Sequence, residues 1–314
     1  MGPILFKPIY QGRIWGGRRL ASVLGRELPG RYEPIGESWE VSDREEAMSL
    51  VRGDGATSLH ELWMTRRAEV FGEALVGHPS PRFPLLMKIL DACDDLSIQV
   101  HPPVGVAAEL GGEPKTEMWF VAHADPGAKI YAGLREGVKR VDFEEALRTG
   151  KVADVVHALL PKSGDCLFIP SGRIHAIGAG LLIYEIQQNS DTTYRVFDWN
   201  RTDANGKPRQ LHIEQSLRSI DFTDFEPRMA RPTADGTVAK CEFFDVREST
   251  LSPGGAAGES GESLTIAVTR GTLRCGDVAL SAGDFCLIPA CLATENRRID
   301  GCSADSHWLE IRIP

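Results

Sequence analysis

Short apolar runs recur along the chain: DCLFIP, LLIYEIQQ, SLTIAV, FCLIP and HWLEIRI. They are rich in Val, Ile, Leu and Phe and are bounded by Gly, Pro and Asp. That pattern predicts many short strands joined by tight turns, hence a sandwich or barrel. A strand puts residues i and i+2 on one face. SIQVHP therefore presents Gln99 and His101 together. KTEMWFV presents Lys115, Glu117 and Trp119, and LLIYEIQ presents Leu181, Ile183 and Glu185. Helical patterns are fewer. Ser58 and Glu61 form a capping box that opens a helix through LWMTRRAEVFG. A second helix is expected through VDFEEALRTG, ended by Gly150, and a third through VADVVHALL, ended by Pro161. Residues 221–240 are polar, contain two prolines and read as a linker between two β units.

An internal repeat supports two units. Gly164-Asp165-Cys166-Leu167-Phe168-Ile169-Pro170 recurs as Gly283-Asp284-Phe285-Cys286-Leu287-Ile288-Pro289. The first copy continues through Gly172 to His175, and this spacing resembles the second motif of the cupins. A turn, a strand and a second turn would then point His175 into a barrel. A lone histidine would more simply be a core residue satisfied by a backbone carbonyl; within this spacing it reads as a metal ligand. The expected fold class is mainly β: two cupin-type (jelly-roll) β-barrels with a small helical insertion. The catalytic, metal-binding domain is expected over residues 1–225 and a degenerate C-terminal cupin domain over 236–314. Aligning the repeats puts Thr294 where His175 stands, so one metal is expected per chain, on the first unit.

Composition narrows the function classes. The chain has 314 residues, 42% hydrophobic and 25% charged, as in an ordinary globular protein. Its net charge of −9 disfavours nucleic acid and anionic membranes, which select basic surfaces. No run is long enough to span a bilayer, and the N-terminus lacks the apolar core of a signal peptide. Seven cysteines are scattered without CxxC spacing. A cytoplasmic protein with free thiols and a small-molecule substrate is the expectation. His101, Glu117 and His175 with the amide oxygen of Gln99 make a mixed N/O set that suits Zn²⁺ and leaves room for water or substrate.

SIQVHP, KTEMWF, PSGRIHAIGAG and QQNSDTTYRVFDWNR, together with RIWGG and RFPLLMKILDA, resemble the type I phosphomannose isomerases in their short bacterial form, over about residues 4–220. The resemblance implies interconversion of mannose 6-phosphate and fructose 6-phosphate with one bound zinc. It implies metal ligands at Gln99, His101, Glu117 and His175, a catalytic arginine at Arg195, an active-site lysine at Lys115 and a further acidic residue at Glu185. A carboxylate on an otherwise apolar face is a candidate base, with Lys115 the competitor. Arg195 would stabilise a developing oxyanion, or else pair with Asp191 or Asp198. Arg201, Lys207 and Arg209 are candidates for the phosphate or else solvated loop charges, and Trp15 reads first as a packed tryptophan, with the wall of the sugar cleft as the alternative. The run Glu113-Pro114-Lys115 departs from larger members, which often carry a histidine before the lysine. The alternatives are a non-catalytic sugar-binding cupin and an Fe-dependent cupin oxygenase using His101, Glu117 and His175 as a facial triad. Gln99, Lys115 and Arg195 together favour the isomerase.

Overall fold

The computed structural model describes residues 2–53, 55–202, 206–250 and 257–314. Among these, four antiparallel sheets of three or more strands lie in successive layers. The central sheet has the order Cys166–Ile169, Glu117–Ala124, Leu181–Gln188, Leu85–Ala92, Ile9–Gly17 and Ile35–Val41. Alternate side chains of its strands leave by opposite faces. Leu90, Trp119, Val121, Leu181 and Ile183 pack with Ile130, Ala132 and Ile177 of a five-stranded sheet. Met87, Ile89, Met118, Leu182, Tyr184 and Ile186 pack with Phe285, Leu287, Leu309 and Ile311 of a second six-stranded sheet. That sheet in turn buries Ile266, Val268, Cys286 and Ile288 against the three-stranded layer that carries Leu273, Cys275, Leu280 and Ile299.

The expected mainly β fold is present, but each unit is a sandwich of two sheets; among the described residues no sheet closes into a barrel. The repeat is visible in the hydrogen bonds. Gly164 N donates to Val121 O at 2.8 Å, and Gly283 N to Val268 O at 2.8 Å. The carboxylates of Asp165 and Asp284 each accept a backbone N–H three residues upstream, both at 2.8 Å. The same Gly-Asp turn thus starts the strand in both units.

The first two helical segments form. Ser58 Oγ accepts Glu61 N, but the helix breaks at Arg66 into Leu59–Thr65 and Arg67–Phe71. Arg140–Thr149 ends at Gly150 in the left-handed conformation, φ +71°. The third expected helix is corrected: only Val152–Val155 is helical, and Val156–Leu159 is a strand paired with Ile130–Leu134. β-Branched Val155 and Val156 fit a sheet edge as readily as a helix, and an open edge strand was there to be paired. The expected linker also differs. Residues 221–230 are bonded along the first unit, and Thr237–Lys240 is already a strand. At the other end of the chain, Ile4–Leu5 pairs with Phe285–Ile288.

Candidate metal centre

Register builds the site. Across the five-stranded sheet, His175 stands opposite Gln99, and Gln99 opposite Arg195. Across the central sheet, Glu185 stands opposite both Lys88 and Trp119, and Gln187 opposite Glu117. Two rows of functional side chains thus face each other across the sandwich, at one end of the apolar cluster formed by Leu181, Ile183 and their neighbours. His101 follows directly after the strand Ile98–Val100. Between the rows lies a cavity of about 410 Å³, within the usual range for small-molecule sites.

One nitrogen or oxygen from each of His101, Glu117 and His175 lies within 4.8 Å of the others. His101 Nε2 is 3.6 Å from Glu117 Oε2, and His175 Nε2 is 3.5 Å from Glu117 Oε1. His101 Nδ1 lies 2.8 Å from Thr192 O and His175 Nδ1 2.9 Å from Arg173 O. Donation to those carbonyls puts the proton on Nδ1 and leaves each Nε2 unprotonated, with its lone pair turned to the carboxylate. His101 Nε2 and Glu117 Oε1 are buried with no hydrogen-bond partner, and Glu117 Oε2 has only the Lys115 ammonium, 2.8 Å away, beside it. Orphaned buried groups of this kind cost free energy unless something binds them; a cation fits the set. Burial pushes the His101 imidazole down to about 3, helped by the Lys115 charge, and burial lowers His175 as well. Both are neutral at physiological pH, as ligands must be. The Gln99 amide nitrogen is 3.3 Å from His175 Nε2; turning the amide over puts its oxygen in the donor set.

A ladder of alternating charge continues from the carboxylate. Lys115 Nζ is 2.8 Å from Glu117 Oε2 and 3.6 Å from Glu185 Oε1. Lys88 Nζ is 3.7 Å from Glu185 Oε1 and 3.8 Å from Asp191 Oδ1, and lies over the Trp39 ring. Trp119 Nε1 donates to Glu185 Oε2 at 3.0 Å. Burial opposes the charge on Lys115, but Glu117 and Glu185 override it and raise its pKa. Burial, then the Glu117 charge, raises the Glu185 pKa against the pull of the two lysines.

On the opposite wall Arg195 makes no ion pair among the described residues. Its Nη1 donates to Gln210 O at 2.8 Å, and its Nε is buried without a partner. The expected alternative, a pair with Asp191 or Asp198, is absent. Asp198 is instead held by Arg209 (2.7 and 2.5 Å) and by Arg201 (2.6 Å). Of the basic residues proposed for the phosphate, Arg209 lines the cavity beside Arg195, while Arg201 is turned to Asp198 and Asp94. Trp15 both packs in the apolar cluster and lines the cavity.

The structure brings together every metal and catalytic residue expected from the sequence. It adds Lys88, Asp191, Glu37 and Arg13 to the cavity wall, where Arg13 pairs with Glu37 at 3.1 Å. Lys88 carried a legible signal: a lone charge in the apolar strand LLMKILDA, the same signal that marked Glu185. Glu37 carried none, and Arg13 and Asp191 were marked only by lying within RIWGG and QQNSDTTYRVFDWNR.

A family model for the catalytic domain of phosphomannose isomerase type I matches residues 4–111. The mannose-6-phosphate isomerase ManA of Bacillus subtilis (strain 168) is 35% identical over 309 residues, covering 91% of this chain and 93% of the relative. The chain belongs to the type I phosphomannose isomerase family. The mannose-6-phosphate isomerase of Streptococcus mutans is 36% identical over 301 residues, 91% of this chain and 92% of that one. The crystal structure of the mannose 6-phosphate isomerase from Bacillus subtilis superimposes with a TM-score of 0.85 at 30% identity over the whole of both chains. The chain is accordingly an aldose–ketose isomerase. Among the described residues no helix is long and apolar enough to cross a membrane.

Proposed function

We propose that the chain interconverts mannose 6-phosphate and fructose 6-phosphate through an enediol, with a Zn²⁺ held by Gln99, His101, Glu117 and His175. The observation that carries the reading is Glu185. It is a buried carboxylate of raised pKa on the cavity wall, one lysine away from the orphaned donor set. When bound, the ion supplies a Lewis acid for the O1/O2 edge of the open-chain sugar. The remaining work falls to the chain. Glu185 takes the C2 proton and returns it at C1; a base works best with a pKa lifted toward the operating pH. Lys115 and Lys88 hold Glu185 in place, and Trp119 fixes its second oxygen. Arg195 directs an unpaired guanidinium at the charge that develops on the enediolate. Arg209, locked by Asp198, receives the phosphate. The strands Ile98–Val100 and Leu181–Gln188 are the rigid frame that keeps proton transfer in range. Residues 1–225 carry this chemistry, and residues 236–314 supply packing behind the central sheet. Thr294 lies in a short 3-10 turn, Thr294–Arg297, away from any cluster of metal-binding side chains among the described residues.

Metal analysis of the purified protein, combined with a coupled assay for fructose 6-phosphate, tests the proposal. One zinc per chain and turnover of mannose 6-phosphate that a chelator abolishes are expected. A metal-free protein with full turnover would overturn the ligand assignment, and oxygen consumption without isomerisation would favour the oxygenase.

A further inference from the structure

Residues 221–230 cross the first unit instead of hanging between the two. Asp221 N donates to Gly172 O (2.9 Å), Leu134 N to Asp224 O (2.9 Å), Glu226 N to Leu134 O (3.0 Å) and Ala230 N to Cys166 O (2.7 Å). The approach is close enough to require glycine at 133. Its φ is +68°, and a Cβ there would meet Pro227 Cδ at 2.5 Å and Asp224 O at 3.1 Å. The segment therefore acts as a strap with a fixed seat.

At the middle of the strap, Asp224 takes two parallel hydrogen bonds from Arg173. Nε donates to Oδ2 at 2.8 Å and Nη2 to Oδ1 at 2.7 Å, with both side chains largely buried at 15% and 17% exposure. The third guanidinium nitrogen, Nη1, donates to Phe168 O at 2.6 Å. All three nitrogens are used, so Arg173 has one geometry; a bidentate fork is the most orientation-specific ion pair available. Arg173 lies in the turn that carries His175, and its carbonyl fixes the His175 Nδ1 proton at 2.9 Å. In the same turn Gly172 N donates to His101 O at 2.9 Å. One turn is thus bonded to both histidines, and the strap clamps that turn from outside.

We propose that Asp224 is a positioning residue of the metal centre. By holding Arg173 it fixes the turn whose carbonyl sets the His175 tautomer and aims Nε2 at the ion. The proposal rests on the metal-ligand reading of His101, Glu117 and His175. Groups that orient a ligand from behind in this way typically alter metal affinity by about 10–100-fold when removed.

The test uses the full-length protein and Zn²⁺ in competition with a chromophoric chelator, for wild type, Asp224→Asn, Arg173→Lys, the double variant and His175→Ala. Co²⁺ absorption serves as a second readout of ligand geometry. Asp224→Asn keeps the shape and removes the charge; a 10–100-fold rise in Kd and an altered Co²⁺ spectrum are expected. Arg173→Lys should weaken binding similarly, and the double variant little further, because the pair acts as one unit. A Kd for Asp224→Asn within about twofold of wild type overturns the proposal, even if the variant melts at a lower temperature, since that is what a merely structural ion pair would do. If Asp224→Asn does not fold, Arg173→Lys decides alone, and an unchanged Kd again overturns it. Wild type and His175→Ala separate the two readings. Tight binding by wild type and none by His175→Ala uphold the ligand set whatever Asp224 does, and a wild type that binds no Zn²⁺ removes both.

Discussion

Replacing Glu185 by glutamine keeps the volume of the side chain and removes its charge from between two buried ammonium groups. The two contacts, 3.6 Å to Lys115 and 3.7 Å to Lys88, are each a gross attraction of about 4–5 kcal/mol at an effective dielectric constant of about 20. Most of that is offset by the cost of burying the charges. Removing one member of a buried pair still costs roughly 3–5 kcal/mol, because it strands its partner. Here Lys115 retains Glu117 and Lys88 retains Asp191, so the expected loss lies at the lower end, about 3 kcal/mol, measurable by urea unfolding. The chemical effect is separate. Loss of a general base lowers the rate by about 10²–10⁴-fold. The assay is isomerisation in D₂O, with deuterium at C1 of the ketose and C2 of the aldose followed by NMR, alongside metal analysis of the variant. Exchange should collapse with turnover while zinc stays bound. Exchange at the wild-type rate in a metal-loaded variant refutes Glu185 as the base and passes the role to Lys115. Loss of zinc would instead make Glu185 part of the metal's support.

His175→Ala is expected to lose metal and activity together and to remain folded, as judged by circular dichroism. The apolar clusters on both faces of the central sheet do not depend on the ion. Arg195→Ala should lower kcat by roughly a hundred- to a thousand-fold, about 2.7–4 kcal/mol, with a smaller change in KM, whereas Arg209→Ala should chiefly raise KM; a reversed pattern in steady-state kinetics would exchange their roles. The wild-type pH profile of kcat/KM should rise with pH on an acid limb above the ordinary carboxylate value of about 4.3. The raised Glu185 pKa means that the proton must leave at higher pH before the base is active, and the limb should vanish in Glu185→Gln. A native thiol titration should find Cys93, Cys291 and Cys302 reactive and Cys166, Cys275 and Cys286 protected until unfolding. Burial lifts Cys275 to about 11 and raises Cys166 and Cys286 further, and the thiolate is the reactive form.

Much of the site was written locally. Period-two alternation is a property of the backbone, so Glu185 shares a face with Leu181 and Ile183 wherever their strand lies, whereas His101, just past the end of the strand Ile98–Val100, reaches the site from the segment that follows it. The Gly-Asp turn is likewise self-contained, which is why both copies of the repeat form with matching hydrogen bonds. The sequence also contained Lys88 as a charge in an apolar strand, although only its neighbours reveal its purpose. What tertiary structure alone decided is pairing between distant segments. Val156–Leu159 became a strand because Ile130–Leu134 offered an edge. The sheets remained open sandwiches because the second face of the central sheet is covered by the C-terminal one. Arg195 makes no ion pair among the described residues because Asp198 is taken by Arg201 and Arg209, and the residues read as a linker became a strap because Asp224 meets Arg173, 51 positions away. Each of these depends on competition among partners far apart in the chain. A local pattern names the residues able to compete, and only packing determines which of them meet.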